Sequence, residues 1–468
     1  MTSRHGLRCG RLAGLLVCSV LAACASPPAP PQAPTLGLTG DSRLEAAPAD
    51  APEVQPQDLR WWQRFDDPAL ADWVERALAG SPDIAVARER AAQARALLRQ
   101  AGGRRSLQLG AEARLESSSR REAGQRAADL SAALQAEWDL DLWGGLRQAE
   151  QSAAATVLRA EDLVQSERLS TAALTARAYV AWREALLDER LLTDAMALQD
   201  DVLRLVRVRV QAGLAPTLDA HRAEAEAASL RAEATQALVR VRQTGAALQV
   251  LAAQRPAPLD GGDALRLPAL SGRLPVVRPL DLLRLRPDLR AAERALTIAA
   301  ADLGVARADL YPRLRLPGTV TLTSAALGGG VLDIVTATIA AVLDATLVDG
   351  GQRRAEVDAA ESRLRESLEV YRQTLLQALE QAEAALAAAG GARERERALL
   401  QADAAAGAAL AQARALYDAG LTGYLDVLDS QRTALEARRR LLVAQADGAR
   451  QAIATFESMG LIDAGSTP

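Results

Sequence analysis

Three stretches of this chain occur twice. SPDIAVARERAAQARALL (residues 81–98) returns as RPDLRAAERALTIAAADL (286–303), LWGGLRQAE (142–150) as VDGGQRRAE (348–356), and QAGLAPTLDAHRAE (211–224) as DAGLTGYLDVLDSQ (418–431). The offsets are 205, 206 and 207 residues, in one unbroken order. A nearly constant offset marks an internal duplication, so whatever topology one half adopts the other must repeat. At 468 residues the chain is also longer than one ordinary domain uses.

The N-terminus lies outside the duplication. Arg4, Arg8 and Arg11 precede LAGLLVCSVLAA (12–23), an apolar run too short to cross a bilayer as a mature helix. The run ends in LAAC (21–24), which resembles the lipobox of bacterial lipoproteins. That resemblance implies cleavage before Cys24 and acylation of its thiol and amine. Ala25, where Asp would retain a lipoprotein at the inner membrane, implies export to the outer membrane. Cys9 and Cys18 fall inside the signal, so the mature chain carries no free thiol, and His221 is its only histidine. Zinc sites and Cys/His catalysis are thereby disfavoured, and His221, within LDAHRAEAEAA, reads as a solvated helix residue. Residues 25–58 are rich in Pro and Ala, which makes an extended, semi-rigid tether able to wrap a neighbouring surface. The chain has arginine but no lysine, and the net charge of −4 gives no sign of nucleic-acid binding. Aromatics at 3% with abundant alanine suit closely packed long helices better than a thick globular core.

Each half holds one hairpin-sized region of period two. Leu107, Leu109, Ala111, Ala113 and Leu115 alternate with Gln108, Glu112, Arg114 and Glu116; Leu130, Leu134, Trp138, Leu140 and Leu142 alternate with Ser131, Gln135, Glu137, Asp139 and Asp141. In the second half Leu314, Leu316, Val320 and Leu322 alternate with Arg315, Thr319, Thr321 and Thr323, and Val335, Ile339, Leu343 and Leu347 with Thr336, Asp344 and Thr346. SSSRREAGQRAAD (117–129) and AALGGGVLD (325–333) read as the intervening loops. Alone, the pattern fits either a transmembrane β-barrel or a soluble sheet with one wet face; the outer-membrane address favours the barrel. Four strands cannot close a barrel, and an open edge in lipid strands backbone groups at several kcal/mol each. The barrel must be shared, and since about eight strands leave an interior filled by side chains, a pore needs three or more chains.

Between the hairpins run long helical patterns. Residues 143–212 contain no proline; Leu146, Ala153, Val157, Ala160 and Val164, then Leu187, Leu191, Ala195, Leu198, Val202 and Leu205, keep a coiled-coil rhythm. About 70 residues at ~1.5 Å each span roughly 105 Å, and 352–419 match that length. Gly213 and Gly420 suit the positive-φ position after a helix, Pro216 the first turn of the next helix, and Thr422 a cap for its counterpart. Asp426 and Asp429, three apart on one helix face, follow the second turn at once.

WWQRFDDPALADWVERALAGSPDIAVARERAAQARALL (61–98), YPRL (311–314), DGGQRRAE (349–356) and YLDVLDSQRTALEARRRLL (424–442) together resemble outer-membrane efflux channels of the TolC and OprM type, in their NodT-like lipoprotein branch. The resemblance covers nearly the whole mature chain. It implies an α+β fold: a homotrimer whose twelve-stranded outer-membrane β-barrel is continuous with a twelve-helix periplasmic α-barrel, with a mixed equatorial region. It implies a signal peptide (1–23), an acylated tether (24–60), an N-terminal equatorial segment and helix (61–104), a first β-hairpin (105–142) and a first long helical hairpin turning near 213 (143–254). A second equatorial segment and helix (255–311), β-hairpin (312–348) and long helical hairpin turning near 420 (349–458) repeat that order before a C-terminal tail (459–468). The tip turns, with Gly213, Leu214, Gly420, Leu421 and Gly423, would receive a periplasmic membrane-fusion adaptor, itself joined to an inner-membrane transporter of the resistance-nodulation-division class. Asp426 and Asp429 match the pair that narrows the closed tunnel. Tyr417 and Asp219 match a tyrosine–aspartate latch. Thr422 stands where TolC has the latch arginine, so that part departs from the pattern.

The function implied is a passive exit channel for drugs, toxic compounds or metals, lipid-anchored at Cys24 in the outer membrane and extending into the periplasm. An export channel of the type I secretion kind shares the fold, and a lipid-anchored coiled-coil scaffold without a pore is a structural alternative that the alternating strands oppose. No nucleophile–base motif and no phosphate-binding Gly loop occurs, so neither an enzyme nor a cofactor is expected.

Overall fold

The computed structural model describes residues 37–39, 42–48, 51–120, 125–261, 266–327 and 330–463, and its elements repeat in the order the duplication requires. After a 3-10 segment (Pro56–Arg64) come α1 (Pro68–Gly80), α2 (Pro82–Gly103), β1 (Gln108–Arg120), β2 (Gln125–Leu140), α3 (Gly145–Gln211) and α4 (Thr217–Leu251). The second half gives α5 (Pro279–Leu285), α6 (Pro287–Ala308), β3 (Arg313–Leu327), β4 (Gly330–Ile339), β5 (Val342–Asp344), α7 (Gln352–Asp418) and α8 (Tyr424–Ser458). None of the described helices is long and apolar enough to cross a membrane. The described residues divide into two compact units: those of Arg90–Ala160 and Ala291–Arg372 in the first, and those of 37–89, Glu161–Arg290 and 373–463 in the second.

The first unit is built on one antiparallel sheet in the order β1-β2-β3-β4, with β5 also paired to β3. Its register places apolar residues opposite one another across every strand: Ala111 faces Leu134, Leu134 faces Val320, and Leu322 faces Val335. On the other face Gln135 stands opposite Thr319, Asp139 opposite Arg315, and Thr321 opposite Thr336. The apolar face is uncovered in the chain, with Leu109 66% and Val335 69% exposed. Among the described residues, the outer edges of β1 and β4 pair with no strand. The strands run further than the alternation predicts. Pairing continues to Arg120↔Gln125 and Leu327↔Gly330, through most of the two expected loops, because ladder bonds need the backbone and not an apolar side chain. The last strand is instead interrupted at 340–341, although β5 resumes in the register that β4 leaves. The cause is Pro317 on β3, which accepts from the Ala340 N–H at 2.9 Å but has no N–H to return. Trp143 donates to the Pro312 carbonyl at 2.8 Å and stacks on Tyr311 with ring centroids 4.7 Å apart.

The long helices start on carboxylate caps. Asp141 accepts from the amides of Leu146 and Arg147 at 3.0 and 2.8 Å, and Asp349 from those of Gly351 and Arg353 at 2.9 and 3.3 Å.

The second unit holds most of the chain's rare aromatics. Trp61 is fully buried and stacks on Phe456 at 5.6 Å. Asp67 caps α1 through the amides of Ala69 and Leu70, and its other oxygen accepts from the buried Tyr179 hydroxyl at 2.8 Å. Single bridges join Glu53 to Val276 and Phe65 to Leu270. The end of the tether is fixed: the amides of Glu45 and Ala46 both donate to the Glu383 carboxylate, at 2.6 and 2.9 Å, and Leu44 is buried.

Candidate functional site

The two turns of the helical hairpins are built alike. Gly213 (φ +72) and Gly420 (φ +74) sit in the left-handed region, where a Cβ would meet no neighbour but would strain the backbone. The Gly213 and Leu214 amides donate to the Val210 and Arg209 carbonyls at 3.0 and 2.8 Å; those of Gly420 and Leu421 donate to Tyr417 and Leu416 at 2.9 and 2.8 Å. This is the Schellman arrangement in both halves. Its apolar residue ordinarily folds back on the helix, yet Leu214 is 77% and Leu421 75% exposed, so each turn presents a bare leucine.

The helices after the turns begin differently from the sequence expectation. Pro216 is the N-cap of α4, not a residue of its first turn, and Gly423, not Thr422, is the N-cap of α8. The Thr422 hydroxyl donates to the Asp426 carboxylate instead, because Thr422 lies one residue too early to reach the free amides. Asp426 and Asp429 are exposed on one face of the first turns of α8, where the positive end of the helix favours acids, while Tyr424, Val427 and Leu428 are buried. Those three join Leu203, Val206, Ala223, Ala227 and Tyr417 in one apolar cluster.

The expected Tyr417–Asp219 hydrogen bond is absent. The Tyr417 hydroxyl is buried with no hydrogen-bond partner among the described residues, and burial raises its pKa. Asp219 stands 3.7 Å from Arg222 on its own helix. What ties Tyr417 is Arg209, in the last turn of α3. Its guanidinium lies 4.1 Å over the Tyr417 ring and donates to the Tyr417 carbonyl at 3.0 Å and the Asp418 carbonyl at 3.5 Å. A cation thus adds a second donor to the Tyr417 carbonyl, already held by the Gly420 amide, and reaches the Asp418 carbonyl at the C-terminus of α7; it comes from the other hairpin, not from the position of Thr422.

Further ties follow along the helices. Gln199 of α3 donates to the Ala223 carbonyl at 3.0 Å and the Tyr424 hydroxyl at 3.1 Å. Arg432 of α8 grips Glu226 of α4. Arg439 reaches Asp188 at 2.7 Å and Glu233 at 3.0 Å, and Arg240 reaches Asp188 at 2.6 Å. A cavity of about 960 Å³ lies among these side chains, with Leu230, Leu435 and Leu442 on its apolar walls. Sequence reasoning missed Arg209, Gln199, Asp188 and the Glu226–Arg432 pair. Only Arg209 carried a signal, as a basic residue one turn before the Gly213 cap.

His221 is exposed, 3.8 Å from Glu224. Among the described residues no cluster of His, Cys, Asp or Glu could hold a metal. Cys24 lies outside the described residues.

The family model for outer membrane efflux proteins matches residues 73–254 and 279–461, two stretches that begin 206 residues apart and so follow the duplication. The chain is 31% identical over 476 residues to the pyoverdine export outer membrane protein OpmQ of Pseudomonas aeruginosa, covering 95% of this chain and 95% of that protein. It is 29% identical over 422 residues to the solvent efflux pump outer membrane protein SrpC of Pseudomonas putida, covering 85% of this chain and 86% of the relative. Among solved structures it is similar to the outer-membrane channel OprN, at 30% identity with a TM-score of 0.82 over 93% of this chain and 99% of that one. It is similar also to the open state of the Neisseria gonorrhoeae MtrE outer membrane channel, at 26% identity with a TM-score of 0.83 over 94% of this chain and 99% of that one. The fold is therefore the α+β fold of these channels. With both halves matched and relatives covered nearly end to end, the chain belongs to the outer membrane efflux protein family.

Proposed function

We propose that three copies of this chain form a passive exit duct of a tripartite pump, gated at the turns of the long helical hairpins. Family membership makes the chain an outer-membrane efflux protein; the proposal adds assembly, route and gate. The observation that carries it is the sheet of β1–β4, with one continuous apolar face bare and, among the described residues, both outer edges unpaired. Lipid covers such a face, and copies of the same sheet satisfy such edges. Three copies give twelve strands, enough for an open lumen lined by the Gln, Thr, Glu and Arg face.

Six carboxylates, Asp426 and Asp429 from each copy, then surround one axis. Like charges at that density attract cations and oppose anions. The bare Leu214 and Leu421 offer apolar contacts to a periplasmic adaptor, which links the duct to an inner-membrane transporter of the resistance-nodulation-division class. That transporter supplies the energy and selects the cargo, a small molecule of the kind that names such as solvent efflux pump describe for relatives. Acylated Cys24 anchors the tether in the outer membrane.

Single-channel recording in planar bilayers tests the gate. Wild type is expected to show small, cation-selective conductance blocked by Mg²⁺, and Asp426→Ala/Asp429→Ala to lose that block. Folded trimers that never conduct, with or without the acids, would return the chain to a scaffold without a pore.

A further inference from the structure

Arg432 stands one helical turn beyond Asp429 on α8, a spacing at which an arginine ordinarily neutralises an acid on its own helix. It does not do so. Its Nε lies 2.9 Å from Glu226 Oε2 on α4, and a second guanidinium nitrogen bonds the same oxygen. Asp429 is exposed and forms no ion pair among the described residues.

Desolvation decides between the two acids. The Glu226 side chain is 11% exposed, so leaving its charge unpaired is costly, whereas hydrated Asp429 gains only on the order of 0–1 kcal/mol from a surface pair. The bond to Glu226 is also the chief influence raising the Arg432 guanidinium above its ordinary value; the charge of Asp429 adds least. Glu226 and Arg432 are 206 residues apart, as are Glu233 and Arg439, which meet at 3.0 Å. Two such pairs thus tie α4 to α8 seven residues apart, each with an acid from the first half and a base from the second, one residue off the 207-residue offset of the turn segments.

We propose that Glu226 is a positioning residue for the channel's acids: by holding Arg432 on α4 it keeps that cation off Asp429 and preserves the negative charge of the constriction. The inference rests on the reading of Asp426 and Asp429 given above. Glu226 itself touches no permeating ion; it acts through Arg432.

Glu226→Gln keeps the size and hydrogen-bonding groups of the side chain but removes its charge, freeing Arg432 to pair with Asp429. Recorded in bilayers under a KCl gradient, this variant is expected to lose much of its cation selectivity, with a half-blocking Mg²⁺ concentration raised about threefold to tenfold. Adding Arg432→Gln is expected to restore both, since no cation then remains to neutralise Asp429. Glu233→Gln removes the equivalent ion pair seven residues on, far from the acids, and is expected to leave both readings at wild type. The inference is overturned if Glu226→Gln matches wild type while Asp426→Ala/Asp429→Ala does not, if the added Arg432→Gln fails to restore selectivity, or if Glu233→Gln shifts it equally. If the double acid variant also matches wild type, the constriction reading falls and this inference with it.

Discussion

Replacing Arg209 with alanine removes the contact that joins the ends of α3 and α7. The guanidinium lies 4.1 Å over the Tyr417 ring, a cation–π contact of about 0.5–1 kcal/mol, and donates to the Tyr417 carbonyl at 3.0 Å. A hydrogen bond from a charged donor contributes about 1.5–3 kcal/mol, and the lower end applies because Arg209 is half-buried and water can replace it. The 3.5 Å contact to the Asp418 carbonyl is too long to add much. The loss is thus about 2 kcal/mol, carried by the last turn of α7, and corresponds to roughly a thirtyfold fall in protection of its amides. Hydrogen exchange read by mass spectrometry on a peptide covering 412–421 measures it, with the start of α7 as internal control. Arg209→Lys, which keeps the charge but not the planar stack, should fall between. Unchanged exchange in Arg209→Ala would refute the reasoning and show that the apolar cluster alone holds the hairpin ends together.

Three other outcomes are expected. Gly420→Ala should lower the melting temperature, since a left-handed residue with a Cβ costs about 1–2 kcal/mol, whereas Gly390→Ala inside α7, where a Cβ also meets open space, should raise it. Burial and the bond to Asp67 raise the Tyr179 pKa above its ordinary value of about 10, so its contribution to stability is complete below pH ~10 and is lost as pH rises beyond it; Tyr179→Phe should flatten that part of a stability–pH profile. Leu134→Arg on the apolar face of β2 should cost about 2–4 kcal/mol if it lies near the bilayer midplane and so deplete assembled protein in outer membranes, while Gln135→Arg on the opposite face should assemble normally.

The duplication, the alternating strands and the two turn glycines were legible because each rests on local chemistry: a period of two, a period near 3.6, or a residue that accepts positive φ. The strand ends were less so, because Ser and Arg near a hairpin tip are compatible with a ladder that continues on backbone bonds. The break in the last strand needed knowledge of its partner, since Pro317 acts across the sheet and not within its own hairpin turn. The polar ties were the least legible. Arg432 looks like any of the many arginines on these helices, and Arg209, though marked by its place one turn before a cap, gives no sign of its partner; what distinguishes both is a carbonyl or a buried carboxylate on another helix more than 200 residues away. Tyr417 is expected to meet Asp219, whereas within the chain its partner is the ring-stacked cation of Arg209.

An open lumen requires three chains to close the barrel. Native mass spectrometry of the protein extracted from outer membranes in mild detergent counts them. A species of three chains is the predicted result. A species of one or two chains would contradict the account, because β1–β4 would then supply too few strands to close around an open lumen.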